Sequence, residues 1–406
     1  MNKENKVLTL SSIILVGFAV GVIYHYVLGF YMRGGEPYNS FLYPASMAFC
    51  DFTGILPYIK DFAPYNDFVL WGAYFPLTYL LMFPFSLIKI TPLIYLFYIS
   101  GFLAYLIFMN IRMFTCSNLT KIQNFQNIFI ITFLSYPVLY MLDKGNFDMF
   151  LFIIFGLCVY AFKSEKYLIS SILLAIANAI KPFTILFLLL FLLKKKYKEF
   201  FLSLILTTLL VIGGFMVFHD NFFNQIVNFI KILALFKTTY AMGSYIGIGF
   251  CSSIFMPLKA IMLHFSTTPV DVANFVRIYD YVCYIMTAFT MFFICKEKTL
   301  WKQLTLVICN FLLIPYCTYD YKFIFLFIPI WLFINEEEKS KFDLTYIILF
   351  GLLFIPKSVI LTFSTATSNA NWLSLSAILN PIIMVVLSLL IIYEQFYAKS
   401  KLKKGI

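Results

Sequence analysis

Residues 148–162 read DMFLFIIFGLCVYAF, and residues 344–356 read LTYIILFGLLFIP. Both are continuous apolar runs. The strands of a membrane β-barrel alternate between lipid-facing and lumen-facing residues, so runs without alternation argue against a barrel and for helices. Such runs recur from residues 7–30 to near the end of a 406-residue chain that is 62% hydrophobic, 20% aromatic and only 12% charged. A soluble domain carries about 25% charged residues and has no core large enough for this much apolar surface. A hydrocarbon layer about 30 Å thick takes about 20 apolar residues per helix. The sequence therefore predicts an all-α, polytopic transmembrane helical bundle, a single integral membrane domain over residues 1–406 with about 10–13 spans by that length rule.

The formal net charge of +11 is gathered in short basic clusters between the apolar runs, at residues 163–166, 194–198 and 296–302 and near both ends. The positive-inside rule accounts for these clusters and predicts that both termini face the cytoplasm of a cell in whose plasma membrane the chain resides. No nucleic-acid partner is needed to explain the charge. Residues 7–30 are too long for a signal-peptide core and carry no A-x-A site, so they read as the first span. The alternation then places outside a large first loop at residues 31–72, the turn at Gly145-Asn146, and residues 219–250, 318–322 and 362–372. The first loop keeps many aromatics, among them Phe52, Tyr58, Tyr65 and Phe68, and is expected to form short helices on the membrane surface. Two stretches fit the alternation poorly. Residues 73–111 are long for one crossing, and residues 167–193 are short for two unless half-helices meet at Lys181-Pro182, where proline breaks the helix.

The eight cysteines show no C-x-x-C spacing and read as small buried hydrophobes. The three histidines have no ligand spacing, and neither H-E-x-x-H nor G-x-x-x-x-G-K-[ST] occurs. Neither a metal site nor a nucleotide or other cofactor is expected.

Four polar features interrupt the apolar pattern. In the first loop Asp51, between Cys50 and Phe52, is a candidate general base, because activating a sugar hydroxyl toward an anomeric carbon requires a carboxylate to take its proton. Asp61 and Asp67 compete for that role, and each of the three also reads as a solvated loop acid. The second feature, Asp143-Lys144-Gly145-Asn146-Phe147-Asp148, reads as a tight external hairpin whose Asn146 is open to an impermeant reagent. Asp148 starts the next apolar run and points either to solvent or into the bundle, where an ionisable group needs a partner or a wet cavity. The third, Asn178-Ala179-Ile180-Lys181-Pro182, puts a lysine far from either basic flank. Lys181 either snorkels to an interface or binds an anion inside the protein, such as a lipid-linked phosphate. The fourth, Tyr316 to Lys322, places Tyr319, Asp320 and Lys322 in a short external loop that either lines a substrate cavity or belongs to an interfacial tyrosine belt.

The order of these features resembles the GT-C superfamily of polytopic glycosyltransferases, and most closely glycosyltransferase family 87, the polyprenol-phosphate-mannose-dependent mannosyltransferases. An acid in the first external loop is followed by Tyr74-Phe75-Pro76-Leu77, where family members often have Y-P-P-L and this chain departs at Phe75. Gly145-Asn146 with Asp148 comes next, and then a small-residue helix that ends in Lys181-Pro182. The resemblance covers residues 30–200 by motif and the remainder by hydropathy and the Tyr-Asp-Tyr loop. It implies transfer, with inversion, of a sugar (mannose) from a polyprenyl-phosphate donor to a glycan or glycolipid acceptor on the non-cytoplasmic face. Asp51 would be the base and Lys181 would bind the donor phosphate. Asp61, Asp67, Asn146, Asp148, Tyr319, Asp320 and Lys322 would be available to bind substrate, and membrane lipid would be a further partner of the chain. A transporter or flippase of lipid-linked saccharides also uses broken helices and buried charge, but no inverted repeat is visible here. A polysaccharide polymerase or ligase would be expected to bring more arginines outside than Arg33 and Arg277.

Overall fold

The computed structural model describes residues 1–403 apart from 36–37, 43–46, 61, 89–90, 244–248, 250, 266–268 and 365–369. The chain is 78% helical. Among the described residues two strands, Ile360–Ser364 and Ala370–Ser374, pair antiparallel. The all-α polytopic class is as expected.

Among the described residues, five single helices are long and apolar enough to cross a membrane: Lys3–Tyr31, Pro92–Phe114, Tyr197–Val217, Val270–Lys296 and Leu375–Tyr397. A sixth is obtained if Lys121–Phe133 and Tyr136–Lys144, bent by 49°, count as one span. The bend falls just before Pro137, which has no N–H with which to continue the first helix and stands instead in the first turn of the second. The length rule drew its larger total from apolar sequence that is folded here into shorter helices, among them Tyr167–Ile180, Pro182–Leu193, Phe255–Phe265, Leu300–Leu313 and Asp343–Leu353. Residues 73–111, too long for one crossing, resolve into an 11-residue helix, Pro76–Ser86, and the start of the helix Thr91–Phe114.

The chain forms two compact units. The first comprises Met1–Ser46, Leu106–Met141 and Ala241–Ile406. In it the helix Lys3–Tyr26 lies against Asp343–Leu353, and small residues permit the approach: a Cβ at Gly17 would stand 2.2 Å from Ile355, and one at Gly351 would stand 2.9 Å from Ile13. Its centre is mostly apolar. The helix Leu300–Leu313 is buried along nearly all its length, and so is Phe327–Ile334. A polar knot sits within this core, where buried Asn110 donates to Thr132 Oγ1 at 2.9 Å and accepts from Trp331 Nε1 at 2.8 Å.

The second unit comprises Met47–Tyr105 and Leu142–Tyr240. The helix Tyr167–Ile180 packs between Asp148–Lys163 and Tyr197–Val217. The first loop contributes the helix Cys50–Lys60, which buries Phe52, Ile55 and Ile59 along one face and packs on Pro76–Ser86. The expected break at Lys181-Pro182 is present. Lys181 is extended (φ −149°, ψ 130°), and a 3-10 helix, Pro182–Phe187, leads into Leu188–Leu193. Threonine side chains bond to both a backbone and a side-chain acceptor near the break. Thr78 Oγ1 donates to the Ile180 carbonyl at 3.1 Å, and Thr184 Oγ1 donates to Asn178 Oδ1 at 2.8 Å.

The turn before Asp148 depends on Gly145, whose φ of +65° lies in the left-handed region. A Cβ there would also meet Tyr95 at 2.9 Å and Phe52 at 3.0 Å. Gly145→Ala is therefore expected to cost about 1–2 kcal/mol for the backbone alone and to lower the thermal midpoint of the detergent-solubilised protein. An unchanged midpoint would refute this account of the turn.

Candidate active site

Asp51 lies in the first turn of the helix Cys50–Lys60, where the exposed N–H groups and the helix dipole favour an anion. The start of this helix is tied to the Gly145 turn. The Phe49 amide donates to the Asp143 carbonyl at 2.6 Å, and Phe49 itself adopts a left-handed φ of 57°, which is costly for a bulky residue. That backbone anchor brings Asp51 to Asn146, so that Asn146 Nδ2 donates to Asp51 Oδ2 at 2.6 Å. The other carboxylate oxygen accepts from Cys50 Sγ at 3.4 Å, and Lys144 Nζ donates to the same sulfur at 3.3 Å.

Burial pushes the Asp51 carboxyl above its ordinary range. The Asn146 hydrogen bond and the Lys144 charge oppose that shift, with a smaller contribution from Lys181. The side chain is half-buried and lies outside the helices long enough to cross a membrane.

Asn146 uses both ends of its amide. While its nitrogen serves Asp51, its Oδ1 accepts from the Asp148 backbone N–H at 2.9 Å, an Asx-type turn that leads into the helix Asp148–Lys163. This corrects the expectation that the residue is accessible: Asn146 is 1% exposed, because the turn folds inward onto the first-loop helix.

Asp148 points into the protein and is fully buried. Its Oδ1 accepts from Lys181 Nζ at 2.6 Å. Its Oδ2, also buried, has no hydrogen-bond partner among the described residues. Lys181 is 8% exposed and its ammonium is paired inside the protein with Asp148. The ammonium also stands 4.1 Å from the ring centre of Phe147, 5.3 Å from Tyr74 and 5.4 Å from Phe183, so aromatic faces cover the charge where water is scarce. Tyr74 is held in turn by its edge-to-face contact with Phe147 and by Tyr65, whose hydroxyl donates to the Tyr74 carbonyl at 2.9 Å.

Asp51, Asn146, Asp148 and Lys181 thus come together in the second unit. Asp67 is exposed, and Asp61 lies outside the described residues. Tyr319, Asp320 and Lys322 belong to the first unit and form a cluster of their own. Buried Asp320 accepts from Ser252 Oγ, and Ser252 Oγ also takes a bond from Asn380 Nδ2 at 3.1 Å. Tyr319 stacks on Tyr321 at 5.9 Å, and Lys322 is 7% exposed. Ser252 and Asn380 carried no pattern that sequence reasoning could use. Lys144 and Tyr74 did carry one, since each stands inside a quoted motif, yet neither was singled out.

These features define a polytopic helical membrane protein with two acids and two lysines gathered beside a helix break. A profile of glycosyltransferase family 87 matches residues 73–315, more than half of the 406-residue chain, and the chain belongs to that family. It is therefore a glycosyltransferase. The match includes Tyr74, Lys144, Asn146, Asp148 and Lys181, whereas Asp51 and Asp320 fall outside it. Among curated proteins no relative matches.

A buried pair that loses one member leaves an uncompensated charge. Lys181→Met and Asp148→Leu are each expected to destabilise the protein by about 3–5 kcal/mol, and the double substitution by much less than their sum. Thermal midpoints of the three variants in one detergent measure this. Additive losses would show that the two side chains are not energetically coupled.

Proposed function

We propose that this glycosyltransferase moves a sugar, mannose in the first instance, from a polyprenyl-phosphate donor to a glycan or glycolipid acceptor. The reaction takes place on the non-cytoplasmic face of the plasma membrane, with both termini in the cytoplasm. The observation that carries the reading is the Asp51–Asn146–Asp148–Lys181 cluster, in which a carboxylate and an ammonium lie in one small region at a break in the bundle.

Asp51 is the general base. It takes the proton of the acceptor hydroxyl while that oxygen attacks the anomeric carbon, and the bond from that carbon to the phosphate oxygen breaks on the opposite face. This gives inversion. The leaving polyprenyl phosphate gains negative charge as the bond breaks, and Lys181 offsets it. Because Lys181 is bonded to Asp148 at 2.6 Å, the donor phosphate must share the ammonium with that carboxylate or displace it. The unpartnered Asp148 Oδ2 is then the acceptor for a hydroxyl of the incoming sugar, since a buried carboxylate oxygen left unpaired is costly.

The assignment is tested by incubating membranes with radiolabelled polyprenyl-phosphate mannose, and separately with other lipid-linked sugars, and then recovering labelled glycan. Asp51→Asn should lower transfer by about 100-fold or more with membrane insertion intact; a fully active variant would remove the base assignment. Label that crosses the membrane while still joined to its lipid phosphate would identify a flippase.

The pH profile tests the electrostatics. A base works only as its carboxylate, so activity is lost as pH falls through the Asp51 pKa, which burial has raised. Removing the Asn146 donor takes away a bond to the charged form and raises that pKa further. The acid limb of kcat/KM in Asn146→Ala is therefore expected at higher pH than in the parent. A limb that stays in place or moves to lower pH would contradict the role given to Asn146.

A further inference from the structure

Cys251 and Cys317 are 66 positions apart in the chain, yet their sulfurs stand 2.7 Å from each other in the first unit. Backbone pairing brings them together. Cys251 is bridged antiparallel to Tyr319, and the Ser252 amide donates to the Thr318 carbonyl at 2.7 Å. Residues two apart on an extended segment share a face, so Cys317 lies beside Tyr319 on the side from which Cys251 approaches, as a diagonal neighbour across the pairing. Both side chains are buried, Cys251 at 0% and Cys317 at 7% exposure. The other cysteines have different surroundings: Cys158 meets Ser170, and Cys50 meets Asp51 and Lys144.

We propose that Cys251 and Cys317 are a disulfide site, oxidised in the protein as the cell makes it. The inference rests on the orientation given above, which puts residues 318–322 on the non-cytoplasmic face, where thiols reach an oxidising compartment. The oxidant is a disulfide. One thiolate attacks it and releases one thiol, and the second cysteine then attacks the mixed disulfide and releases the other, so two protein thiols become one Cys251–Cys317 bond and one external disulfide becomes two thiols.

Burial pushes the Cys251 thiol well above its ordinary range, with Lys322 opposing the shift. The folded pair therefore exchanges slowly, and the bond forms before the segment is covered and afterwards resists reductant. The bridge closes a long loop that contains the helices Phe255–Phe265, Pro269–Lys296 and Leu300–Leu313. Long closures restrict the unfolded chain most. The bond would also fix Ser252 against Asp320, to which it donates, and so hold the buried polar cluster of the first unit.

The test counts thiols in the full chain. Cells are quenched in acid, the protein is denatured in detergent without reductant, and a mass-tagged maleimide is added. Six labels are expected, two fewer than the eight cysteines, with eight after reduction, and peptide mapping should find residues 251 and 317 in one cross-linked peptide. In Cys251→Ser and in Cys317→Ser, seven labels are expected with or without reductant. Eight labels without reductant overturn the proposal, as does a cross-link joining any other pair. In the eight-label case, the purified protein is unfolded and refolded in the presence of oxidised glutathione. A fall to six then places the failure in the orientation, and a count that stays at eight places it in the site itself.

Discussion

A lysine in the middle of an apolar sequence must be neutralised where it stands, and the bond from Lys181 to Asp148 does this in the second unit. Desolvating either group alone costs several kcal/mol, about what a domain has in net stability. The pair forms only because the helix breaks at Pro182, which leaves Lys181 extended and free to reach Asp148 at the start of the helix Asp148–Lys163. Thr78 then satisfies the Ile180 carbonyl at the break, and Thr184 holds the Asn178 side chain beside it. A discontinuous helix at membrane depth is tolerable only where its polar groups are satisfied from within, and each of these contacts meets that condition.

The same pair sets the chemistry available nearby. Two acids and two lysines leave the cluster close to neutral, yet they are not mixed evenly: Lys144 lies on the Asp51 side through Cys50, and Lys181 lies on the Asp148 side. Such a separation suits a transfer in which a proton is taken at one place and negative charge appears at another. In the proposed reaction, Asp51 and Lys181 hold those two positions.

How much was legible in the sequence depended on whether the signal was local. Continuous apolar runs gave away the helical membrane class, and Lys181-Pro182 gave away the break, because both follow from composition and from the missing N–H of proline. The inward turn at Asn146 was not legible. Gly-Asn before an apolar run has the look of an exposed hairpin, and the bond that pulls it inward comes from Phe49, almost a hundred residues earlier. For the same reason the 51–146 contact, the partner of Lys181 and the meeting of Cys251 with Cys317 could not be read in advance, since each joins residues with no common spacing. The strand pair Ile360–Ser364 with Ala370–Ser374 lies in a segment that sequence reasoning placed outside without assigning it secondary structure.

Asn146 carries two demands on one small side chain: a donor toward Asp51 and an acceptor toward the Asp148 amide, on opposite ends of a single planar group. An aspartate at this position would keep the acceptor but set a second negative charge against Asp51, whereas a serine has one hydroxyl for two partners some distance apart. Glutamine has the right groups on too long a stem. Of these four residues only asparagine brings both groups at the right length, so the demand on this position is set by geometry although the proposed reaction passes no atom through it.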